Sequence, residues 1–223
     1  MDTTALSRCR FDETMNQSGN VARCALESLL AIVLWAFSYL LGSVSSAILV
    51  CQLFRLPDPR STGSHNPGAT NVLRLGNKFA AALTLLGDVA KGIVPVVIAR
   101  ELQLPDSIAA LCGFCAFLGH LYPVYFDFRG GKGVATAFGV LAILHWPSML
   151  VVAGLWLLVA FSTHISSLAS IASFFLAPWI VLMARADLFY PVLVLSLMLL
   201  FRHRVNIAQL IKGQEHAIDD QKD

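Results

Sequence analysis

Three polar stretches, separated by long apolar runs, contain the residues whose types and spacing could do chemistry. The first, residues 63–74, contains glycines that can adopt positive φ, which lets successive backbone N–H groups converge on an anion. Its neutral donors are Ser64, Thr70 and Asn71. Arg74 adds a planar cation suited to phosphate. This stretch is therefore predicted to bind phosphate; the alternative is a Gly/Asn-rich connector between two membrane helices.

The second stretch, residues 119–133, ends in Gly-Gly-Lys-Gly, which surrounds the Lys132 ammonium with flexible backbone donors. It is not a nucleotide-binding P-loop, because Phe126 stands where that motif needs glycine and Gly133 where it needs Ser or Thr. Nucleotide hydrolysis is therefore not expected. The alternative interpretation is a basic turn at a helix end.

The third stretch, residues 202–207, lies just past the last apolar segment and continues to Gly213 and Glu215. If it is helical, His203 and Asn206 are three residues apart and share a face. The alternative is a basic helix end with a bystander histidine. A fourth, weaker stretch, residues 166–168, would present its hydroxyls to the same compartment.

Asp88 and Lys91 lie three residues apart inside an apolar segment. Ionisable side chains at membrane depth are costly, so they usually pair and usually serve a site. We expect a mutual ion pair that supports the polar loops rather than direct catalysis.

Several catalytic and metal motifs are absent from the sequence. It has no His-x4-Asp dyad, no G-x-S-x-G nucleophile elbow and no HExxH motif. Cys112 and Cys115 have CxxC spacing but no second pair, and helix packing explains them better than metal or redox chemistry. No metal or cofactor is expected. The chain offers groups that stabilise anions rather than an evident nucleophile or base.

The composition places the chain in a lipid bilayer. Hydrophobic residues make up 57% and charged residues 13% of the sequence, against about 25% charged in a soluble domain. The apolar residues form blocks, which indicates an all-α, polytopic membrane protein with seven transmembrane helices. The fourth and fifth segments are short for a span of ~20 residues. The segments run over about residues 29–54, 79–99, 108–126, 134–144, 150–161, 168–183 and 188–201.

Lys and Arg predict the orientation. With seven crossings, most basic residues near the membrane fall on the side that carries the polar stretches, which places those stretches and the C-terminus in the cytoplasm and the N-terminus outside. Residues 1–27 are expected to be a poorly ordered extension, with Met15 as an alternative start. Residues 28–215 would form the membrane domain and residues 216–223 a cytoplasmic tail.

Together, the stretches resemble the bacterial PlsY family of acyl-phosphate:glycerol-3-phosphate acyltransferases, from about Tyr39 to Glu215. That family's first motif, Ser-Gly-Asn-x-Gly-Ala-Thr-Asn with a following Arg, resembles residues 64–71 and Arg74. Its second, Gly-His-x-x-Pro leading to Gly-Gly-Lys-Gly, resembles residues 119–123 and 130–133. The remaining matches are His-x-x-Asn-Ile with Gly-x-Glu, Asp-x-x-Lys-Gly and Ser-Leu, at residues 203–207 with 213–215, 88–92 and 167–168.

Three residues depart from the family pattern: His65 and Asp127 each replace a common Gly, and Gln209 replaces a common Arg. The change at His65 lies inside the predicted phosphate loop. It puts the backbone geometry of that loop in question, but not the resemblance.

The resemblance implies an enzyme that transfers an acyl group from acyl phosphate to the 1-hydroxyl of glycerol 3-phosphate, giving lysophosphatidate and inorganic phosphate. It implies the inner face of the bacterial cytoplasmic membrane, the first acylation of phospholipid synthesis, no nucleic acid, and a soluble enzyme that makes acyl phosphate as a partner. The implied catalytic residues are Arg74, Lys132, His203 and Asn206. The implied substrate-binding residues are Ser64, Asn66, Gly68, Thr70, Asn71, Gly130, Gly131, Gly133, Ser167 and Glu215, with Asp88, Lys91 and His120 in support.

Two other functions remain open from the residues alone. Basic loops could serve a transporter for a phosphate-bearing solute, but no internal repeat is visible and the motifs cluster on one predicted face. A membrane acyltransferase with a thioester donor would need much the same residues.

Overall fold

The computed structural model describes residues 26–218, and within them the chain is helical with no β-strand. Helix α1 covers residues 26–42 of this described part. The expectations for the N-terminal extension and for Met15 fall outside the described residues. The other helices are α2 (Ser46–Leu53), α3 (Ala69–Arg74), α4 (Lys78–Glu101), α5 (Asp106–Leu121), α6 (Val134–Leu144), α7 (Trp146–Thr163), α8 (Ser166–Ala184), α9 (Phe189–Arg202) and α10 (Arg204–Ile211), with 3₁₀ turns at Val124–Phe126 and Ala186–Leu188.

The described helices support a multi-pass membrane protein. Five spans between residues 26 and 218 are long and apolar enough to cross a membrane, and the first of them joins α1 and α2. A sixth is bent by 57° where α9 meets α10. The multi-pass α-helical prediction is confirmed, whereas the seventh crossing and the placement of the termini stay predictions.

Helix α6 is the short predicted segment. Its 11 residues extend ~16 Å at 1.5 Å per residue, about half of the hydrocarbon core. It lies along the second half of α4: the Arg100 guanidinium at the end of α4 donates to the last carbonyls of α6, and Thr136 near its start lies against Gly92. A Cβ at Gly92 would overlap the Thr136 carbonyl. The glycine therefore allows close approach and fixes the depth at which the second polar stretch enters the bundle.

The first predicted segment is broken rather than continuous. Helix α1 ends at residue 42 and α2 begins at Ser46, which leaves the Val44 carbonyl outside a regular helix. Lys91 Nζ donates to that carbonyl at 2.9 Å and lies 2.9 Å from Asp88 Oδ1. The predicted ion pair is therefore confirmed, and both of its side chains are buried.

Two clusters of apolar side chains hold this arrangement. The larger core packs α4, α5, α6, α8 and α9 around Phe117 and Phe174. A smaller cluster between α2, α3 and α4 buries Cys51 and Val72 and anchors the short helix α3 beneath the first polar stretch. Pro178, which could have kinked its segment, lies inside the unbroken helix α8.

Candidate active site

Asn71 shapes the first polar stretch from inside. Its side-chain oxygen accepts from the Ser64 N–H at 3.0 Å, and its amide nitrogen donates to the Pro59 and Thr62 carbonyls at 2.9 and 3.0 Å. Gly63, at φ +64°, passes so close that a Cβ there would overlap the Asn71 oxygen. Asn71 therefore organises the loop with its own amide. Its predicted contact with substrate stays a prediction, as do those of the half-buried Ser64, Asn66, Gly68 and Thr70.

Two departures from the family pattern stand in left-handed backbone conformations. His65 has φ +56° and Asp127 has φ +54°. Glycine adopts this region freely, whereas a residue with a Cβ is strained there by ~1–2 kcal/mol. The common glycines at both positions are explained by this geometry. The first loop therefore keeps a fold that glycine would adopt without strain, although it carries histidine.

Replacing His65 by glycine is expected to stabilise the protein. Relief of the strain outweighs the entropy lost by glycine, for a net gain of roughly 0.5–1 kcal/mol, and the ring gives up only a long contact to the Arg60 carbonyl. Thermal unfolding in detergent would be compared for the wild type, His65→Gly and the control His65→Ala, which removes the ring but keeps the strain. A midpoint for His65→Gly no higher than that of His65→Ala would contradict the strain argument.

The second polar stretch is held from two sides. The Gly131 N–H donates to the His120 carbonyl at 3.1 Å, and the His120 ring packs so tightly on Gly131 that a Cβ there would overlap it. From the other side, Arg202 donates to the Gly130 carbonyl at 2.8 Å and to the Gly131 carbonyl at 3.1 and 3.2 Å. The backbone that leads into Lys132 is thus held by α5 on one side and by Arg202 on the other, and Gly133 follows Lys132 at φ +86°.

The buried ion pair reaches this loop through His120. His120 Nδ1 lies 3.5 Å from Asp88 Oδ1, and the same ring packs against Gly131. Lys91, on the far side of Asp88, holds the break between α1 and α2. Asp88, Lys91 and His120 therefore form a chain of contacts from the break after α1 to the Gly-Gly-Lys turn.

The third stretch lies at the bend between α9 and α10. Gly213, at φ +65°, ends α10 in the left-handed conformation common after helices, so the chain turns back along the helix. Glu215 Oε1 then accepts from Asn206 Nδ2 at 2.7 Å and from Ser167 Oγ at 2.8 Å. The Gly-x-Glu spacing thus brings the third and fourth stretches together through one carboxylate.

His203 is fully buried at the bend, and its Nδ1 lies 2.8 Å from the Leu199 carbonyl. Because a carbonyl can only accept, Nδ1 carries the proton, and in the neutral ring Nε2 is left as an acceptor. An acceptor suits an ammonium or a hydroxyl, not a phosphate oxygen. The implied catalytic role of His203 stays a prediction, and in this neutral form the ring would fill it as an acceptor.

Arg74 contacts the tail segment, residues 213–218. Its guanidinium donates to the Ala217 carbonyl at 2.8 and 3.1 Å and to the His216 carbonyl at 3.2 Å. The Ile218 N–H donates to the His164 carbonyl at 2.7 Å. Residues 216–218, predicted as the start of a separate tail, therefore pack on the membrane domain, and the tail segment links the first stretch to the loop before α8.

Lys132 is the point at which the four stretches meet. Burial lowers the pKa of its ammonium to about 8; Glu215 opposes that shift, while the cations Arg74 and Arg202 add to it. The Lys132 charge also acts on His203. An ammonium held among other cations in a half-buried site is stabilised by a dianion, so the arrangement favours phosphate.

The structure adds residues that the motifs did not single out. Arg202 donates hydrogen bonds to the carbonyls of the Gly-Gly-Lys turn. At the start of the same loop, the Tyr39 hydroxyl donates to the Tyr122 carbonyl at 2.8 Å. Arg202 precedes His203 in the third polar stretch, so the sequence pointed to this region but not to Arg202 itself. Residue type and spacing do not distinguish which of the two arginines, Arg202 or Arg204, turns towards the loop.

Comparison with known proteins identifies relatives along most of the chain. Residues 32–213 match the model of a protein family described as glycerol-3-phosphate acyltransferase. The chain is 52% identical over 182 residues to a glycerol-3-phosphate acyltransferase of Proteus mirabilis, covering 82% of this chain and 84% of that protein. It is also 52% identical over 182 residues to the enzyme of Methylococcus capsulatus, covering 80% and 91% respectively.

Two solved structures have a similar fold. Both are crystal structures of PlsY (YgiH), an integral membrane glycerol 3-phosphate acyltransferase. The glycerol 3-phosphate form has a TM-score of 0.80 at 36% identity, and the lysophosphatidic acid form has a TM-score of 0.77 at 35% identity. Each comparison covers 84% of this chain and 94% of the PlsY chain.

Proposed function

Because the chain belongs to the glycerol-3-phosphate acyltransferase family, we propose that it transfers an acyl group from acyl phosphate to the 1-hydroxyl of glycerol 3-phosphate in phospholipid synthesis. The crystal forms of PlsY with glycerol 3-phosphate and with lysophosphatidic acid support this acceptor and this product. The names of these relatives do not specify the acyl donor, so acyl phosphate is proposed from the resemblance of the sequence motifs.

The observation that carries the proposal is the convergence on Lys132. Arg74, Arg202 and Glu215 all lie close enough to act on the Lys132 charge, although they come from distant parts of the chain. Donor and acceptor each carry a phosphate, so the enzyme has to hold two anions together and offset their repulsion. A cluster of three cations beside neutral donors on Ser167 and Asn206 is suited to that task.

The reaction needs little chemistry from the protein. The 1-hydroxyl oxygen bonds to the acyl carbon, the bond from that carbon to the bridging phosphate oxygen breaks, and inorganic phosphate leaves with both electrons. The hydroxyl proton passes to a phosphate oxygen, which accepts it readily because a phosphate monoester has its second pKa near 6. The protein positions the two substrates and stabilises charge on the acyl oxygen.

His203 orients the Lys132 ammonium in this mechanism and is not the base. If it only positions, His203→Gln should stay within about tenfold of the wild-type kcat, because the Gln oxygen still accepts a hydrogen bond worth ~0.5–1.5 kcal/mol. His203→Ala should be slower. If His203 is instead the base, both variants should lose about 10²–10⁴ in kcat, together with the acidic limb of the pH–rate profile. Steady-state kinetics of the purified variants separates these outcomes.

The donor is tested by product analysis. Purified protein in detergent or liposomes would receive glycerol 3-phosphate with acyl phosphate, acyl-CoA or acyl carrier protein in turn. We expect lysophosphatidate and an equal amount of inorganic phosphate with acyl phosphate only. Product from a thioester donor alone would overturn the donor assignment and keep the family. A control with Lys132→Ala excludes spontaneous transfer.

We also propose that the active site faces the cytoplasm of the bacterial inner membrane, where a soluble enzyme can deliver acyl phosphate. With the native cysteines removed, single cysteines in place of the exposed Tyr125 and Gln214 should be shielded from an impermeant thiol reagent in intact cells. Glu101 is exposed and is the last residue of α4, at the end away from the first polar stretch. A cysteine in its place should react with the reagent. The reverse pattern of labelling would invert the topology.

A further inference from the structure

We propose that Arg202 is a positioning residue that sets the Gly130-Gly131-Lys132 turn and so aims the Lys132 ammonium at the substrate phosphate. This inference rests on the proposed function, because it concerns the same site.

Arg202 determines the direction of two successive peptide groups. Its guanidinium donates to the carbonyls of Gly130 and Gly131, so both carbonyls point towards α9. In a planar trans peptide the next N–H points the opposite way. The Gly131 N–H accordingly points away from Arg202 and donates to the His120 carbonyl. By the same geometry, the Lys132 N–H also points away from Arg202, and Lys132 leaves the turn in a fixed direction.

The guanidinium itself is held in place. Arg202 is half-buried and lies over the Tyr122 ring, 5.3 Å from its centroid. The Tyr122 carbonyl is in turn fixed by the Tyr39 hydroxyl of α1. A planar, stacked fork can hold two carbonyls at once, whereas the compact ammonium of lysine cannot reproduce that geometry. The two carbonyls therefore require the planar guanidinium of arginine, and a positive charge alone would not hold both of them.

The position of Arg202 in the chain couples two motifs. It is the last residue of α9, and His203 and Asn206 follow at the bend. Its contacts to Gly130 and Gly131 therefore fix the register between Lys132 and the third stretch, which comes from more than 70 residues away. Its charge also contributes to the low pKa of Lys132.

Arg204 provides a matched control. It is two residues away and is also an arginine, but it is exposed and begins α10; its guanidinium donates to the Phe201 carbonyl of α9 and stacks on the Phe201 ring. Within residues 26–218, the hydrogen bonds to the Gly130 and Gly131 carbonyls come from Arg202 and not from Arg204. Its removal tests the loss of one basic residue at the same bend between α9 and α10.

The experiment compares Arg202→Ala, Arg202→Lys and Arg204→Ala with wild type. For Arg202→Ala we expect kcat to fall by about 10², the cost typical of a misplacement near 1 Å, and Arg202→Lys should recover only part of that loss. Millimolar guanidinium should restore part of the Arg202→Ala rate in a saturable way, whereas ammonium should not. Arg204→Ala should remain within about twofold of wild type.

A pH profile of kcat/KM distinguishes a positioning role of Arg202 from a merely structural one. Loss of the Lys132 proton in the free enzyme predicts a fall of kcat/KM for glycerol 3-phosphate above pH 8, near the Lys132 pKa of about 8. Removing the Arg202 cation favours the protonated lysine. The alkaline limb should therefore move to higher pH in Arg202→Ala and stay in place in Arg204→Ala.

The inference fails if Arg202→Ala retains kcat within twofold of wild type, or if guanidinium gives no rescue and the alkaline limb does not move. If Arg202→Ala does not fold, Arg202→Lys decides: wild-type kcat in that variant overturns the inference, and a folded enzyme with a clearly lower kcat supports it. Failure of the proposed function would appear differently, as a wild-type protein that makes no lysophosphatidate from glycerol 3-phosphate.

Discussion

Replacing Lys132 by alanine is expected to lower kcat/KM for glycerol 3-phosphate by about 10²–10³ without unfolding the protein. The ammonium is the charge on which the four polar stretches converge. Losing one preorganised donor to a developing or transferred anion costs ~2.7–4 kcal/mol of transition-state stabilisation. The half-buried position of Lys132 adds to the effect, because charge interactions are screened less there than at an exposed site.

The control for this prediction is Lys212→Ala. Lys212 is an exposed lysine at the end of α10, so its loss tests a general effect of basic residues near the membrane surface. Kinetics and thermal midpoints would be measured for both variants. A folded Lys132→Ala enzyme with near-wild-type kcat/KM would remove Lys132 from the site.

Asp88→Ala is expected to lower the free energy of unfolding by about 3–5 kcal/mol, because removing one partner of a buried ion pair leaves an uncompensated charge. Lys91 would keep its hydrogen bond to the Val44 carbonyl but lose its counter-ion, and His120 would lose the carboxylate beside it. Denaturant titration in mixed micelles and the thermal midpoint would report the loss. The Gly-Gly-Lys turn should loosen with it, since the His120 ring packs against Gly131.

A double variant separates charge from packing. Asp88→Leu combined with Lys91→Met replaces the pair by apolar side chains of similar volume, which often restores stability. We expect it to be more stable than Asp88→Ala by a few kcal/mol, yet less active, because the break after α1 and the His120 ring lose their polar contacts. A single Asp88→Ala variant as stable as wild type would contradict the role of the pair.

Residue types and spacing predicted one buried feature beneath the candidate site. The i, i+3 spacing of Asp88 and Lys91 in an apolar segment predicted the ion pair that the structure contains. The resemblance to the PlsY family marked Glu215, which the structure brings to Asn206 and Ser167. The ion pair could be predicted because ionisable groups at membrane depth have few ways to be satisfied, so their presence constrains the fold.

The sequence could not predict the directions of side chains within the loops. Asn71 was expected to donate to substrate, but its amide is directed into the loop, and the composition of the loop fits both directions. The contact of Arg74 with the tail carbonyls depends on a turn at Gly213 that lies far along the chain. Likewise, an apolar run such as α6 does not report how deep its preceding loop enters the bundle.

Glu215 was expected to bind substrate, and the structure gives it an organising role. Its carboxylate gathers the Ser167 hydroxyl and the Asn206 amide and lies near Lys132. A carboxylate would repel a phosphate that it touched, so its predicted direct contact with substrate is chemically unfavourable. In the proposed mechanism it holds neutral donors beside the ammonium.

The central claim is that one phosphate site is centred on Lys132. A structure of the protein with glycerol 3-phosphate bound tests it most directly. We predict the phosphate within hydrogen-bonding distance of Lys132 Nζ, beside Asn206 and Ser167, with Arg202 still bonded to the Gly130 and Gly131 carbonyls. A phosphate held elsewhere, with the Lys132 ammonium turned away from it, would contradict the account.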